Sequence, residues 1–257
     1  MKIKFLASFT IFFVCFFVNK SFSQVNIESF RNEAEKEGFY GSLKGGIQLQ
    51  SGNVDISIYD LSTDMHVKKQ IHHLLLKASY QKGYQSSKLF QNNGFGHFRY
   101  TIMYHEYLGY EGFTQTEFDK FKALKLRQLI GGGIRTEIPV TEKIYINSGL
   151  GIMSDHEELE NNLSNTDARI NYYFVTKLFI DKKRSSFLSI VLYYQPLLFT
   201  YKDFRIKNEA NLKTYIANLK STKLYIISSF NYLYDSNPPV GVIADDKLLK
   251  ITVSLDW

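Results

Sequence analysis

Hydrophobic and polar residues alternate without interruption at the end of the chain, from Lys250 to Trp257. Apolar residues occupy every second position, Ile251, Val253, Leu255 and Trp257, and each residue between them is polar. A period of two predicts a β-strand with one apolar face and one polar face. The pattern therefore indicates a last strand that lies between two environments of opposite polarity and ends on an aromatic side chain.

The same alternation recurs along the chain between residues 39 and 257. Short polar stretches separate the apolar runs near 67–70, 105–107, 139–142, 182–185 and 219–222. Longer polar stretches lie near 85–93, 156–167 and 235–246. Short turns at one end, longer loops at the other and an amphipathic closing strand are typical of bacterial outer-membrane barrels. We predict an all-β fold, a single transmembrane antiparallel up-and-down β-barrel of about 12 strands.

Alternation alone also fits a soluble β-sandwich, which has one apolar face per sheet. Three features favour the membrane barrel: an apparent export signal, the aromatic terminus, and the tyrosine and phenylalanine residues near the predicted strand ends. The chain holds 18 Tyr and 21 Phe. After residue 23 no stretch reaches the length of apolar sequence that a spanning helix needs, so a membrane would be crossed by strands.

The first 23 residues have the pattern of a secretory signal. Lys2 and Lys4 precede the uncharged apolar run 5–18, and small residues at 21 and 23 predict cleavage before Gln24. The alternative is a retained membrane anchor, although the run is short for a spanning helix. We therefore divide the chain into a signal peptide (1–23), a polar periplasmic lead-in (24–38) and the barrel (39–257).

Composition narrows the function classes only a little. Cys15 is the single cysteine and lies in the predicted leader, so we expect no disulfide in the exported chain. Loss of the leader's three lysines would halve the formal net charge of +6. The high isoelectric point is therefore partly a property of the leader, and we predict no nucleic-acid partner.

Charged residues at the polar positions of the alternating strands would face the barrel lumen. The hairpin around Lys120 holds the candidate lumen charge cluster, made of Glu111, Glu117, Lys125, Arg127 and Arg135. With the turn centred at Lys120, both glutamates lie diagonal to Lys125 and Arg127. The other basic residues at these positions are Lys44, Lys77, Arg99, Arg169, Arg205, Lys207, Lys213 and Lys250, against the further acids Glu137 and Glu209.

This surplus of bases suggests a basic lumen that would favour anions if it is open. The alternative is that the charges pair across the lumen and fill it. A barrel of about twelve strands is narrower than a 16–18-stranded porin, which keeps both interpretations open.

No motif selects catalytic, cofactor-binding or metal-binding residues, and we predict no enzyme activity and no cofactor. The histidines fall on different predicted strands and loops without the ligand spacing of a metal site. Gly131–Gly133 lies inside a strand instead of between a strand and a helix, so it is not a phosphate loop. Small residues at that place more plausibly relieve crowding inside the barrel or allow curvature.

Several short motifs follow one another along the chain: Ser51-Gly52-Asn53, Phe98-Arg99-Tyr100, Tyr110-Glu111-x-Phe113-x-Gln115-x-Glu117-Phe118, Arg127, Gly131–Gly133, Tyr234-Asp235, Pro238-Pro239 and the terminal D-x-x-L-x-x-x-V-x-L-x-W pattern. In this order they resemble the family of salt-induced outer-membrane proteins, an uncharacterised-domain family of Gram-negative outer-membrane β-barrels. The resemblance covers about residues 39–257, and the chain departs from it by ending on Trp257 where Phe is usual. It implies an outer-membrane location and no activity.

These observations lead to one main functional expectation and two alternatives. The main one is an outer-membrane barrel of unknown substrate, either a narrow channel for small, conceivably anionic, solutes or an envelope or salt-stress protein. The first alternative is a structural or adhesive barrel acting through outer loops near 157–167 and 235–246, and the second is a lipid-modifying enzyme. The expected partners are outer-membrane lipid, lipopolysaccharide, and the barrel-assembly machinery through the C-terminal strand.

Overall fold

The computed structural model describes residues 37–52, 55–238 and 242–257. The predicted signal peptide and nearly all of the predicted lead-in, 24–36, lie outside the described residues. One helical turn, Lys120–Lys122, interrupts the strands. The strands are β1 (Gly38–Gln50), β2 (Ile56–Lys69), β3 (His72–Gln85), β4 (Lys88–Met103), β5 (Leu108–Asp119), β6 (Leu124–Pro139), β7 (Ile144–Leu159), β8 (Ser164–Phe179), β9 (Phe187–Pro196), β10 (Phe204–Leu219), β11 (Thr222–Asp235) and β12 (Asp245–Asp256).

Each strand pairs antiparallel with its neighbours in sequence, and β1 pairs with β12 to close the cylinder. The predicted all-β, twelve-stranded, up-and-down barrel is therefore confirmed. Among the described residues, no helix has the length and apolar character needed to cross a bilayer. We call the end of the barrel that carries Trp257 the inner end, and the opposite end the outer end.

Two of the three predicted long loops are wrong. The turn between β3 and β4 is only Ser86 and Ser87, and the connection between β7 and β8 is only 160–163. The polar residues assigned to those loops belong to strands, because the inward side of this barrel is itself polar. Gln91, for example, is buried on β4 and donates to Gln81 of β3 at 3.0 Å. The connection between β11 and β12, residues 236–244, is long as predicted.

The outer face of the wall is apolar and the inner face is polar, which is the reverse of a soluble protein. Outward positions carry exposed apolar side chains, such as Ile130 at 67% and Ile152 at 62% exposure. Inward positions carry buried charges, such as Arg135 at 0% and Arg99 at 1%. A closed wall with an apolar outside and a polar inside is the arrangement that a lipid bilayer requires of a spanning barrel.

The closing strand follows the alternation read from its sequence. Ile251, Val253, Leu255 and Trp257 lie on the outward face, with exposures between 37% and 71%. Trp257 exchanges two backbone hydrogen bonds with Gly41 of β1, at 3.1 and 3.3 Å. Its indole covers Gly41, where any Cβ would overlap the ring. An aromatic ring over a glycine of the neighbouring strand thus seals the inner end of the seam.

Aromatic side chains mark both ends of the wall. At the outer end Tyr194, Phe204 and Tyr234 form a row across β9, β10 and β11, with ring centroids 5.8 and 5.7 Å apart. At the inner end Tyr104 stacks on Tyr110 at 4.8 Å. Rings at both ends of an apolar band are the usual girdles of a membrane barrel, where they lie at the two membrane–water interfaces.

Candidate functional site: the charged lumen

Alternation along the strands brings the charged side chains into the lumen, where they form two connected groups in its central and outer parts. We name them the arginine cluster and the tyrosine layer. The arginine cluster lies toward the outer end and contains Arg127, Arg169, Arg205 and the acids that contact them. The tyrosine layer is built around Tyr173 and contains Arg99, Glu111, Arg135 and Glu137.

Asp155 of β7 is the centre of the arginine cluster. Its side chain is 2% exposed and accepts hydrogen bonds from three arginines. Arg127 binds both carboxylate oxygens at 2.8 Å, Arg169 donates to one of them at 3.1 Å and Arg205 at 2.6 Å. A bidentate pair reinforced by two further cations is a strong charge-assisted arrangement, and it is worth most where water is excluded.

Other carboxylates neutralise the same three arginines from the sides. Glu117 accepts from Arg127 at 3.0 Å, and Glu157 lies 2.8 Å from Arg205. Asp203 accepts from Arg169 at 3.0 Å, and Asp235 accepts from Arg205 at 2.8 Å. The cluster therefore joins β5, β6, β7, β8, β10 and β11 across the lumen as one paired network.

The tyrosine layer crosses the lumen with a single aromatic ring. The Tyr173 hydroxyl donates to Glu111 at 2.9 Å and accepts from Arg135 at 2.8 Å. Arg99 pairs with the same Glu111 oxygen at 3.2 Å, and Arg135 donates to Glu137 at 2.6 Å. Arg99 and Arg135 also contact the Tyr173 ring, each 5.6 Å from its centroid. Tyr173 is 0% exposed, so the ring and its two arginines fill this level of the barrel.

A glycine on the neighbouring strand makes room for that ring. Gly149 of β7 lies directly opposite Tyr173 of β8 in the register. A Cβ at this position would overlap the ring and the hydroxyl of Tyr173. At Gly131 a Cβ would come within 2.7 Å of both Met153 and Phe113, so the predicted relief of crowding applies there as well.

Apolar side chains fill much of the remaining lumen. They form three groups: Phe113 with Leu129 and Met153, Tyr173 with Val175, Val191 and Tyr193, and Phe179 with Phe187 and Ile227. A cavity at mid-height, beside His97, Arg99 and Lys207, has a volume of about 30 Å³. A cavity of this volume can hold ordered water. At the inner end the lumen widens to a cavity of about 540 Å³ lined by His73, Tyr107, Tyr145 and their neighbours.

The outer mouth is narrowed by the β5–β6 turn and the loop before β12. Lys122 of the turn pairs with Asp119 at 3.4 Å and reaches Asp246 of β12 at 3.9 Å. Both elements line a cavity of about 110 Å³ together with Val242 and Arg205. Burial lowers the pKa of Lys122 to about 7, although both aspartates act in the opposite direction.

The five residues of the predicted charge cluster do not form one group. Glu117 and Arg127 belong to the arginine cluster, and Glu111 and Arg135 belong to the tyrosine layer. Glu117 lies directly opposite Arg127 in the register, whereas Glu111 lies opposite Gly133 and so is not diagonal to Arg127 as predicted. All four are buried.

Lys125 lies outside the lumen groups, so its predicted membership is wrong. A register shift between Leu124 and Leu126 breaks the alternation of β6 at this residue. Its side chain is 48% exposed and pairs at 2.5 Å with Glu158. Glu158 has the opposite parity to buried Asp155 on β7, so this ion pair lies on the outward side. Strict parity cannot anticipate such a bulge.

The predicted surplus of lumen bases is small. Among the described residues nine basic and seven acidic side chains are buried. Asp64, Asp119, Asp155 and Asp256 are the buried acids that the sequence reading left out of the lumen. Asp155 was missed because it was taken for the edge of a loop, although its polar parity with Asn147 and Gly149 was visible.

The histidines do not assemble with other ligands. Within the described ranges no group of three or more His, Cys, Asp or Glu side chains could hold a metal ion. The nearest approach is His66 to His73, with ring nitrogens 3.3 Å apart near the inner end. His66 also lies 3.6 Å from Asp64, which is paired with Lys44.

The family described as "Protein of unknown function, DUF481" matches residues 44–257. The chain belongs to this family. Membership covers both lumen groups and the closing strand of the DUF481 chain, and it assigns no activity to them. The resemblance to an uncharacterised-domain family agrees with this match, while the salt-induced name stays a prediction.

Solved structures that resemble the DUF481 chain include three membrane proteins. The NanC porin is 11% identical at a TM-score of 0.46, with 84% of this chain and 97% of that one covered. A bacterial polysaccharide outer membrane secretin is 6% identical at 0.43, covering 85% and 97%. The translocator domain of autotransporter NalP from Neisseria meningitidis is 9% identical at 0.40, covering 88% and 90%. Values this low support no inference about function, and no curated protein matches the chain.

Proposed function

We propose that the DUF481 chain is an integral outer-membrane β-barrel whose lumen is closed to free diffusion by its own side chains. Any passage of small solutes would then depend on movement of the tyrosine layer. The observation that carries this proposal is the inverted polarity of the wall: exposed apolar side chains outside, paired charges inside. Such a wall is unfavourable in water and favourable in a bilayer.

Two features of the lumen argue against a general diffusion pore. Beside His97, Arg99 and Lys207 the lumen leaves a cavity of only about 30 Å³. The charges beside it are paired, so a hydrated ion would have to displace existing ion pairs to pass. A wide porin instead keeps an aqueous channel through a larger barrel.

Single-channel recording in planar bilayers tests the closed lumen. We expect the wild-type chain to conduct little, and Tyr173→Ala to conduct several times more because the bar across the lumen is removed. Tyr172→Ala is the matched control, since Tyr172 is the neighbouring residue on the outward face, 38% exposed. A large steady conductance in the wild type, or equal conductance in the two variants, would contradict the proposal.

Ion selectivity tests the finer suggestion of an anion pathway. That suggestion depends on the small excess of buried bases, nine against seven among the described residues. In a salt gradient, a reversal potential shifted toward that of chloride would support it. A shift toward the potassium potential would remove it.

The location has its own test, which does not depend on conduction. We expect the purified chain to need detergent and to change its gel mobility on boiling, as closed membrane barrels do. Crosslinking to the barrel-assembly machinery should depend on the closing strand. Abundance after a salt shift would test the proposed role in salt stress.

A further inference from the structure

The wall of the barrel is incomplete along half of one seam. β1 and β12 pair only from Ser42 opposite Asp256 to Gly45 opposite Val253. On their other sides the same two strands are paired along nearly their whole length, β1 with β2 and β12 with β11. The seam is therefore closed at its inner end and unpaired toward its outer end.

The register shows which positions are left open. Continued from the four existing pairs, it would place residues 46–50 of β1 opposite 252–248 of β12. The outward side chains at these positions are among the most exposed of the wall: Ile47 at 71%, Leu49 at 70%, Leu249 at 74% and Ile251 at 71%. Among the residues that the structure describes, these two strand edges have no backbone partner in the outer half of the barrel, where they face each other.

Free edges are costly at this depth. Backbone groups facing hydrocarbon have no water to bind, and each unpaired group is unfavourable by several kcal/mol. In a bilayer the outer half of the seam therefore favours completed pairing, and an open seam exposes backbone groups to the lipid beside it. This half of the seam is the part of the wall that backbone pairing holds least.

An ion pair spans the open half on the lumen side. Lys250 of β12 donates to Asp60 of β2 at 2.6 Å, passing over β1. Gly46 permits this contact: it lies opposite Asp60 in the register, and a Cβ there would overlap the Asp60 carboxylate. The pair ties β12 to β2 where no backbone hydrogen bonds join β12 to β1.

The length of this ion pair limits what can enter the seam. In a complete sheet β12 and β2 would be two strand spacings apart, roughly 10 Å. An additional strand between β1 and β12 would raise that separation to roughly 14 Å, too far for Lys250 to reach Asp60. The pair therefore favours the closed seam. When it breaks, the gap opens to the hydrocarbon of the bilayer between four apolar side chains, those of Ile47, Leu49, Leu249 and Ile251.

We propose that the outer half of the β1–β12 seam is a lateral opening that admits the acyl chain of a membrane lipid, and that Lys250 and Asp60 hold it closed. Entry places the chain beside Gln48, which shares the inward parity of Lys44. This proposal rests on the membrane location but not on conduction through the lumen, so failure of one leaves the other testable.

Photo-crosslinking at Gln48 tests the opening. A photoreactive amino acid replaces Gln48 in the full chain, reconstituted in vesicles of phosphatidylethanolamine and phosphatidylglycerol, and lipid adducts are measured by mass spectrometry. The matched control is Gln81, a lumen-facing glutamine on β3 that lies opposite Asp60 in the register. We expect lipid adducts at 48 and none at 81.

Loss of the ion pair should increase the adducts at 48. Lys250→Met removes the cation, and Gly46→Ala displaces Asp60 while leaving both charges in place. Each change should raise the yield by up to about fivefold, the population shift expected from one ion pair of this exposure.

A disulfide across the open half of the seam should abolish the lipid adducts at 48. Ile47→Cys with Ile251→Cys, in a chain also carrying Cys15→Ser, closes the seam on oxidation. Leu43→Cys with Leu255→Cys, in the paired half, is the control that should leave the adducts unchanged. Absence of lipid adducts at 48 in the wild type and in Lys250→Met, or their persistence after the first disulfide forms, would overturn the proposal.

Discussion

Loss of the Asp155 charge should destabilise the barrel far more than loss of an exposed charge on the same strand. Asp155→Asn keeps the shape of the side chain but removes the anion that three arginines share at 2.6–3.1 Å. Glu158→Gln is the matched control, because Glu158 lies three residues along β7 and, among the described residues, pairs with half-exposed Lys125 alone. The two variants lose the same functional group in opposite environments.

The magnitudes follow from burial. Removing one partner of a buried ion pair typically costs about 3–5 kcal/mol, because the remaining charge stays desolvated. We expect the lower end, about 3 kcal/mol, since Glu117, Glu157, Asp203 and Asp235 still neutralise the three arginines. The exposed pair should contribute roughly 0.2–1 kcal/mol.

Urea unfolding in detergent measures both values. Trp257 is the single tryptophan of the chain and lies on the seam, so its fluorescence reports opening of the closing strand. Added salt should weaken the control pair and leave the arginine cluster nearly unchanged, because screening acts on exposed charges. Equal losses for the two variants would show that Asp155 is not desolvated, and the closed lumen would then be wrong.

Three further outcomes are expected. Gly149→Ala should destabilise the barrel by about 1–3 kcal/mol through overlap with the Tyr173 ring, and Tyr173→Ala in the same chain should remove that penalty in a double-mutant cycle of urea unfolding. Trp257→Phe should keep an aromatic ring over Gly41 and leave the stability nearly unchanged. Trp257→Ala should lower the free energy of unfolding by about 2 kcal/mol, roughly half the value for a fully buried ring. The temperature at which the folded form is lost from the gel compares the two variants. Burial lowers the pKa of Lys122 from 10.5 to about 7, so the unfolded chain binds more protons between those values. Stability should therefore rise with pH across that window, and Lys122→Met should flatten the rise.

The strand pattern was predictable because a period of two is a local property of the sequence. Ile251 to Trp257 and the other alternating segments each indicated a strand without reference to the rest of the chain. Two of the predicted long loops are wrong because a local pattern does not show whether a polar side chain faces solvent or a polar interior. In a barrel with a polar interior, Gln91 has the pattern of a loop residue and Asp155 adjoins a polar stretch, although both are buried in strands.

The lumen groups could be predicted only in part. Parity placed Glu111, Glu117, Arg127 and Arg135 on the inward face, but parity does not give height in the barrel, which decides their partners. Tyr173 also had the inward parity, yet nothing local marks it as the residue that crosses the lumen. The usable signal was Gly149, because a small residue opposite a large one indicates a ring lying across the neighbouring strand.

The interior charges replace the apolar core that holds a soluble domain together. Outside the wall an apolar side chain gains little by leaving hydrocarbon for another apolar contact, so packing outside contributes little to closure. Closure must come from the backbone ladder and from side chains that join distant strands across the lumen. Asp155 joins its own strand, β7, to three others, β6, β8 and β10, and Tyr173 links β8 to β5 and β6. The seam between β1 and β12 has the shortest ladder, with Lys250 and Asp60 spanning the half that the ladder leaves unpaired. It is therefore the place where the wall should open first.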